Sequence, residues 1–240
     1  MNDHDWFAVW VDFVIVVIGV FIGLQVANWN EARQERQRAS YYVDRLDREF
    51  DVIRERLQGG VDVFGNAVAQ IDWLQQLRRD YAANSNIDLP DRTVVFEALS
   101  QVGSGRIPAT SPATFQEMLA SGALESLSSD ELRQALYEFD EFAGVARAAW
   151  ASIRQQHYDA SVALVIIVDS RPPKDLAGLL DSTDLGLEMV NVDIETFLND
   201  PAIGGHLNNM MQAQVNQYTL VGRQLQLAER IESLIQAAPQ

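Results

Sequence analysis

The sequence predicts an all-α chain in which an N-terminal transmembrane helix continues into an elongated antiparallel helical bundle, and three observations carry that prediction. Residues 7–27 form a largely apolar stretch of 21 residues. Beyond it, apolar residues recur in alternating steps of four and three along several long segments, the period of a helix with one buried seam. No strand pattern of alternating apolar and polar residues competes over a comparable length. With 240 residues, 48% of them hydrophobic, and five Trp, the chain is too apolar for a disordered tail and long enough to bury a core. The organisation read from this is an anchor over residues 1–30 and a helical bundle domain over residues 31–240.

The anchor comes first. At 1.5 Å per residue, Phe7 to Ala27 covers about 31 Å, enough for a bilayer core of about 30 Å. Asp12 and Gln25 interrupt it and leave Phe13 to Leu24 as an unbroken apolar run of 12 residues, too short to span alone. Trp6, Trp10 and Trp29 bracket the longer segment, and amphipathic rings favour the two membrane interfaces. The start, Asn2-Asp3-His4-Asp5, is not basic and no small-residue cleavage site follows, so a retained anchor is expected rather than a signal peptide. Gly19, Gly23 and Ala27 recur every four residues and share one face, which permits close approach of a second helix. Asp12 falls on that face, where a helix–helix contact would hide a carboxyl group that is costly in hydrocarbon. The alternative is that Asp12 reaches the headgroup layer.

The soluble elements follow in order. Ala39, Val43, Leu46, Phe50, Ile53 and Leu57 form a first seam, which Gly59-Gly60 is expected to break. A second helix presents Val61, Phe64, Val68, Ile71, Leu74 and Tyr81. A shorter helix is read over Asp91 to Gln101. Ser111 and Pro112 suit the N-cap and first position of another short helix, with Gly122 as its stop. The longest helix of the bundle is expected to start at Ser128, whose capping box uses Glu131. Its seam runs from Leu132 through Leu136, Phe139, Ala143, Ala146, Trp150, Ile153, His157, Ala160 and Leu164 to Ile167, 36 residues or about 54 Å of helix. Val162 to Val168 is β-branched enough for a strand, but the register running through it favours helix. Arg171-Pro172-Pro173 ends it. After an acidic connector and a short helix near Val192 to Leu198, Asp200-Pro201 opens the last helix, with Leu207, Met211, Tyr218, Val221, Leu225 and Ala228 as its seam. Four seams imply an antiparallel bundle with the shorter helices at one end.

Two stretches resemble a widespread bacterial family of uncharacterised single-pass membrane proteins. The first is the anchor from Asp12 to Glu31, ending in Leu24-Gln25-Val26-Ala27-Asn28-Trp29-Asn30-Glu31, which matches the family's Leu-Gln-x-x-Asn-Trp-Asn-Glu pattern. The second is Thr114-Phe115-Gln116-Glu117-Met118-Leu119-Ala120-Ser121-Gly122-Ala123-Leu124-Glu125 with Asp130-Glu131-Leu132-Arg133. Together they cover about a fifth of the chain. The resemblance implies a bacterial inner membrane protein but no activity, since the family has none established. Its members carry a basic stretch ahead of the anchor, which holds that end inside and exports the C-terminal domain. This chain has no such stretch, while Arg33, Arg36 and Arg38 follow the anchor, so the positive-inside rule alone points the domain to the cytoplasm. A periplasmic domain is the expectation, on the reading that Met1 is not the natural start.

The formal charge is −16 and uneven. Residues 31–58 hold seven acidic residues and seven Arg, whereas residues 107–240 hold 18 acidic residues against seven basic ones. The distal part repels nucleic acid and anionic lipid, so no nucleic-acid partner is expected. The absence of cysteine suits either compartment.

Candidate chemistry is sparse. The three His, His4, His157 and His206, do not cluster as zinc ligands do, and His157 reads as a seam residue. Gly103-Ser104-Gly105-Arg106 lacks the full phosphate-binding pattern. Asp175, Asp181 and Asp184 lack calcium-loop spacing. No Glu-x-x-His pair or Gly-x-Ser-x-Gly elbow occurs. No catalytic residue, cofactor or metal is therefore expected, and enzyme is the weaker class. The leading expectation is a membrane-anchored interaction or scaffold module with a protein partner or a second copy at the bilayer. The alternatives are a ligand-sensing bundle signalling through a partner, which a buried Arg147 or Arg154 facing a pocket would favour, and an accessory subunit of a larger membrane complex. An exposed apolar strip would favour the scaffold.

Overall fold

A computed structural model describes residues 3–103, 111–171 and 188–237. The helices are α1 (Asp3–Ala83), α2 (Arg92–Val102), α3 (Ala113–Ser121), α4 (Asp130–Leu164), α5 (Ile194–Asn199) and α6 (Pro201–Ala237). Single 3-10 turns lie at Ala123–Ser126 and Val165–Ile167, and one antiparallel pair of strands joins β1 (Val168–Arg171) to β2 (Glu188–Val192). The predicted all-α bundle is the observed architecture, with this small hairpin added.

The anchor and the first two predicted bundle helices are one helix, α1, of 81 residues and about 120 Å. The expected break at Gly59-Gly60 does not occur. Gly60 is buried against α6, and a Cβ built there would lie 3.0 Å from Val221 Cγ1, so its lack of a side chain sets the spacing of the two helices. Glycine costs a helix interior about 1 kcal/mol relative to alanine. Burial of Leu57 and Phe64 on either side, each contributing about 1.5–3 kcal/mol, outweighs that cost. Gly65 plays a lesser version of the same part beside Tyr218, at 3.5 Å.

Pairs along α1 and α6 fix their direction. Arg54 meets Glu232 at 3.0 Å, Gly60 meets Val221, and Gln75 donates to Asn208 at 2.8 Å, so rising numbers on one helix meet falling numbers on the other. α4 packs along α6 from the other side. Glu138 receives both Arg223 and Arg230 there. The core has two parts. Near the anchor, Leu46, Phe50, Phe139 and Ile231 belong to one cluster, with Phe50 edge-on to Phe139 at 5.2 Å. Farther out, Ile71, Leu74, Leu164 and Leu207 belong to the other.

The short helices divide between these clusters instead of gathering at one end. Val95, Ala98 and Leu99 bring α2 to the outer cluster, as Phe197 brings α5, whereas Phe115 and Met118 bring α3 to the inner one. Asp91 caps α2 by accepting from the Thr93 amide at 2.8 Å. Gly122 stops α3 in the left-handed region at φ 71°, a conformation that glycine adopts without a Cβ penalty. α4 starts two residues later than expected. Ser129, not Ser128, accepts from the Leu132 amide at 3.1 Å.

The helical reading of Val162 to Val168 is corrected. α4 ends at Leu164, a 3-10 turn keeps Ile167 buried, and Val168 pairs with Val192 in the sheet. The Ile167 carbonyl accepts from Asp193 N at 2.8 Å. The proposed terminator Pro172-Pro173 lies outside the described residues, as do Ser104 to Arg106 and Asp175, Asp181 and Asp184.

Gly60→Leu is expected to destabilise the bundle by about 1–3 kcal/mol through overpacking against Val221. Gly222→Ala, where a Cβ meets nothing, is expected to stabilise it by about 0.5–1 kcal/mol; denaturant midpoints of the detergent-solubilised chain measure both. A pH effect follows from two caps. The Thr93 hydroxyl and amide hold the Asp91 carboxyl below its ordinary range, and the Thr196 amide and hydroxyl do the same for Asp193. A depressed folded-state pKa contributes stability above the unfolded value of about 3.9 and loses it as pH falls through the folded value. Asp91→Asn/Asp193→Asn, which keeps acceptors at both caps, is expected to flatten the loss of stability below pH about 4, as a pH series of denaturant midpoints would read.

Candidate functional site

From Ile15 onward α1 contains a stretch of 18 residues with mean hydropathy 1.4, none of it buried inside the protein. It is long and apolar enough to cross a membrane by length and composition. Gly19 and Gly23 lie on one face with nothing within 4 Å of a Cβ at either, and Ala27, one turn on, is exposed. The structure therefore brings Gly19, Gly23 and Ala27 together as a bare ridge. Trp10 and Trp29 are exposed at either end, and the Arg33 guanidinium sits 6.0 Å from the Trp29 ring centre, within cation–π range. Trp6 and Asp12 are on the same helix, but their side chains lie outside the described residues.

Between Trp29 and Tyr42 the helix runs on almost wholly exposed, and Tyr42 is the first buried residue of α1 among those described. Thirteen residues of rise make a stalk of about 20 Å. A concavity of about 910 Å³ lies beside it, lined by Glu35 and Arg36 of the stalk, Asp44 and Asp47 farther along α1, Ser129 before α4 and Ile235 of α6.

The second quoted motif forms the contact between α3 and α1 just above the stalk. Glu49 of α1 accepts from the Thr114 amide at 3.1 Å and from its hydroxyl at 2.8 Å. A carboxylate from another helix thus caps α3, in place of the expected Ser111. Ser111 instead donates to Asp140 of α4, which also accepts from Gln116 at 2.9 Å. Glu117 takes Arg45 at 2.7 Å and the Tyr42 hydroxyl at 3.3 Å. Open cavities of about 450 and 490 Å³ flank Ser111.

α6 turns a different face inward from the one expected. Met211 is half-buried and Tyr218 exposed, whereas Gln214, Gln217 and Gln224 are buried. Gln214 Nε2 donates to the Val102 carbonyl at the end of α2, at 2.7 Å. Gln217 Oε1 is buried without a hydrogen-bond partner among the described residues, which costs about 1–3 kcal/mol. Ala67, Ala146, Ile153 and Ala213 are buried but belong to neither apolar cluster, so a band that includes three alanines and buried glutamines separates the two halves of the core. His206 is half-buried on α6, and the His4 and His157 side chains lie outside the described residues. Arg78, between α1 and α6, donates to the Asp200 carbonyl at 2.7 Å and stacks 5.7 Å from Phe197. Burial lowers its pKa, against the opposing pull of Asp200.

Arg147 lines the cavity of about 490 Å³ beside Ser111, but it and Arg154 are exposed on α4, so neither is the buried cation that would favour a ligand sensor. The face they border was not anticipated. Opposite the seam that packs on α6, Tyr158, Val162 and Ile166 are 63%, 51% and 78% exposed, and Gly144, Ala148 and Ala151 continue their line towards the anchor. The signal was present in the sequence as a helix face without charge, complementary to the seam.

Among the described residues no three His, Asp or Glu side chains converge as metal ligands would. No protein-family model, curated protein or solved structure matches the chain.

Glu49→Ala is expected to cost about 1–2 kcal/mol by uncapping α3. Differential scanning of the purified chain checks it, with Glu55→Ala, exposed on the same helix, as the reference within about 0.5 kcal/mol of the parent.

Proposed function

We propose that this chain is a membrane-anchored helical interaction or scaffold module without catalytic activity of its own. The observation carrying this reading is α1: its apolar stretch runs without a break into the bundle core, so the anchor and the interaction domain are one rigid rod. The exposed apolar line on α4 supports it, because patches of this kind mark protein contacts. The bare Gly19, Gly23 and Ala27 ridge offers a second contact within the bilayer. The resemblance of both motifs supports membership of the anchored bacterial family and a place in the inner membrane, with Asp12 on the contact face and Trp6, Trp10 and Trp29 at the interfaces. The same resemblance favours a periplasmic bundle.

One observation favours a ligand-sensing bundle as the second reading. The buried Gln217 Oε1 on α6 has no hydrogen-bond partner among the described residues, and a donor from a small molecule would satisfy it. An accessory subunit of a larger membrane complex is a form of the first reading in which the partner is a different protein.

Native mass spectrometry of the solubilised intact chain is expected to find a stoichiometric complex, either homo-oligomeric or with another protein. Gly19→Leu/Gly23→Leu is expected to weaken whatever contact the anchor makes. Monomer alone in both samples would sink the reading. The chain has no cysteine, so Gln226→Cys, exposed on α6, gives a single label site. A membrane-impermeant maleimide is expected to react with it in intact spheroplasts, and reaction only after lysis would put the bundle in the cytoplasm.

A further inference from the structure

The outer face of α4 carries more than apolarity. Gly144, Ala148, Ala151, Tyr158 and Val162 follow one another at heptad spacing, with exposed Gln155 as the polar member of the line, and exposed Ile166 lies just beyond the end of α4. At 100° per residue, Ala148, Gln155 and Val162 occupy equivalent positions two turns apart, and Gly144, Ala151 and Tyr158 fill the positions between them. This is the a/d pattern of a two-stranded coiled coil, on the side of α4 facing away from α6. A Cβ at Gly144 meets nothing, so the line is open at that end.

The flanks of the line differ in sign. Arg147 and Arg154 border one side, and neither makes an ion pair among the described residues. Asp159 borders the other, while Glu141, seven residues before Ala148, marks the end of the line towards the anchor. In a parallel pair the residue just before an a position faces the residue five further along the partner helix, so Arg154 of one copy faces Asp159 of the other, twice per dimer. In an antiparallel pair each flank faces its own kind, placing the arginines of both copies together. The charge pattern therefore selects the parallel arrangement.

We propose that α4 is a homodimerisation face, on which a second copy of this chain docks in parallel about a two-fold axis running along the helix. The proposal rests on the anchored reading above, since two chains held by N-terminal anchors in one bilayer point the same way and meet in parallel. The line from Gly144 to Val162 is about 27 Å long. At a helix-wide contact it buries well under the roughly 800 Å² per partner of a standard stable interface. Confinement to one membrane supplies the missing affinity by raising the effective concentration.

Crosslinking in native membranes tests this with the full chain. Ala148→Cys and Val162→Cys, introduced one at a time at exposed positions, are each expected to give an oxidised homodimer, because both sit opposite themselves only in a parallel pair. Asp72→Cys on exposed α1 is expected to give none above background. Arg154→Asp in either cysteine background is expected to lower dimer yield about fivefold by setting like charges face to face, and adding Asp159→Arg is expected to restore it. Dimer formed only when the Ala148→Cys and Val162→Cys chains are mixed would overturn the parallel arrangement. No crosslink, with a foreign protein bound stoichiometrically, would overturn the homodimer and leave the interaction module standing. Absence of both would overturn the two together.

Discussion

The close antiparallel packing of α1 on α6 is the contact on which the rest of the structure depends. It lets one helix run from an apolar, unburied stretch through an exposed stalk and become the spine of a bundle without a linker. Gly60 against Val221 sets the spacing, and Arg54 with Glu232 fixes the alignment from the exposed side. With that pair in place, α6 can present its far side to α4, and α1 can present its own to α2 and α3. The cost appears on α6, where three glutamines lie inside the core, two of them, Gln214 and Gln217, between its two apolar clusters.

Much of this was legible in the amino-acid order. The seam from Leu132 to Ile167 is buried nearly as read, and the first two predicted seams both face inward along α1, buried at Leu46, Phe50, Ile53, Leu57, Phe64, Ile71 and Leu74 and half-buried at their other positions. What was missed shares a physical cause, namely tertiary contact overriding a local signal. Gly59-Gly60 reads as a break because glycine weakens an isolated helix, and nothing local reveals that a neighbouring helix needs the space. Met211 and Tyr218 were preferred for the α6 seam over Gln214 and Gln217 because polar groups are rarely buried without a partner. Ser111 has the right position for a cap, yet Glu49, 65 residues away from Thr114, holds that end of α3. The hairpin was invisible for a different reason: β1 has four residues and β2 five, too few for a period to declare itself, and their pairing is not local.

The candidate interaction faces show the same split. Gly19, Gly23 and Ala27 announce themselves by spacing, since small residues every four positions form a ridge in any helix. The α4 line is as regularly placed, but Gly144, Ala148, Ala151 and Gln155 give it a weaker hydrophobic signal than the inward seam of the same helix. Under the proposed function, two contact faces on one chain, one on the apolar stretch of α1 and one on α4, suit a molecule that gathers partners at a membrane and holds them at a set height. The 20 Å stalk estimated from the rise between Trp29 and Tyr42 sets where that height begins.

The continuity of α1 is most directly measured as a distance. Spin labels at Gln34 and Asp72, both exposed, span the stalk and the Gly59-Gly60 pair, and the absence of native cysteine makes Gln34→Cys/Asp72→Cys the only label sites. Double electron–electron resonance on the chain in nanodiscs is expected to give a single narrow distribution near about 57 Å, the rise of 38 helical residues. A broad or markedly shorter distribution would mean that the helix bends or breaks between anchor and bundle, and would contradict the account of α1 as one rod.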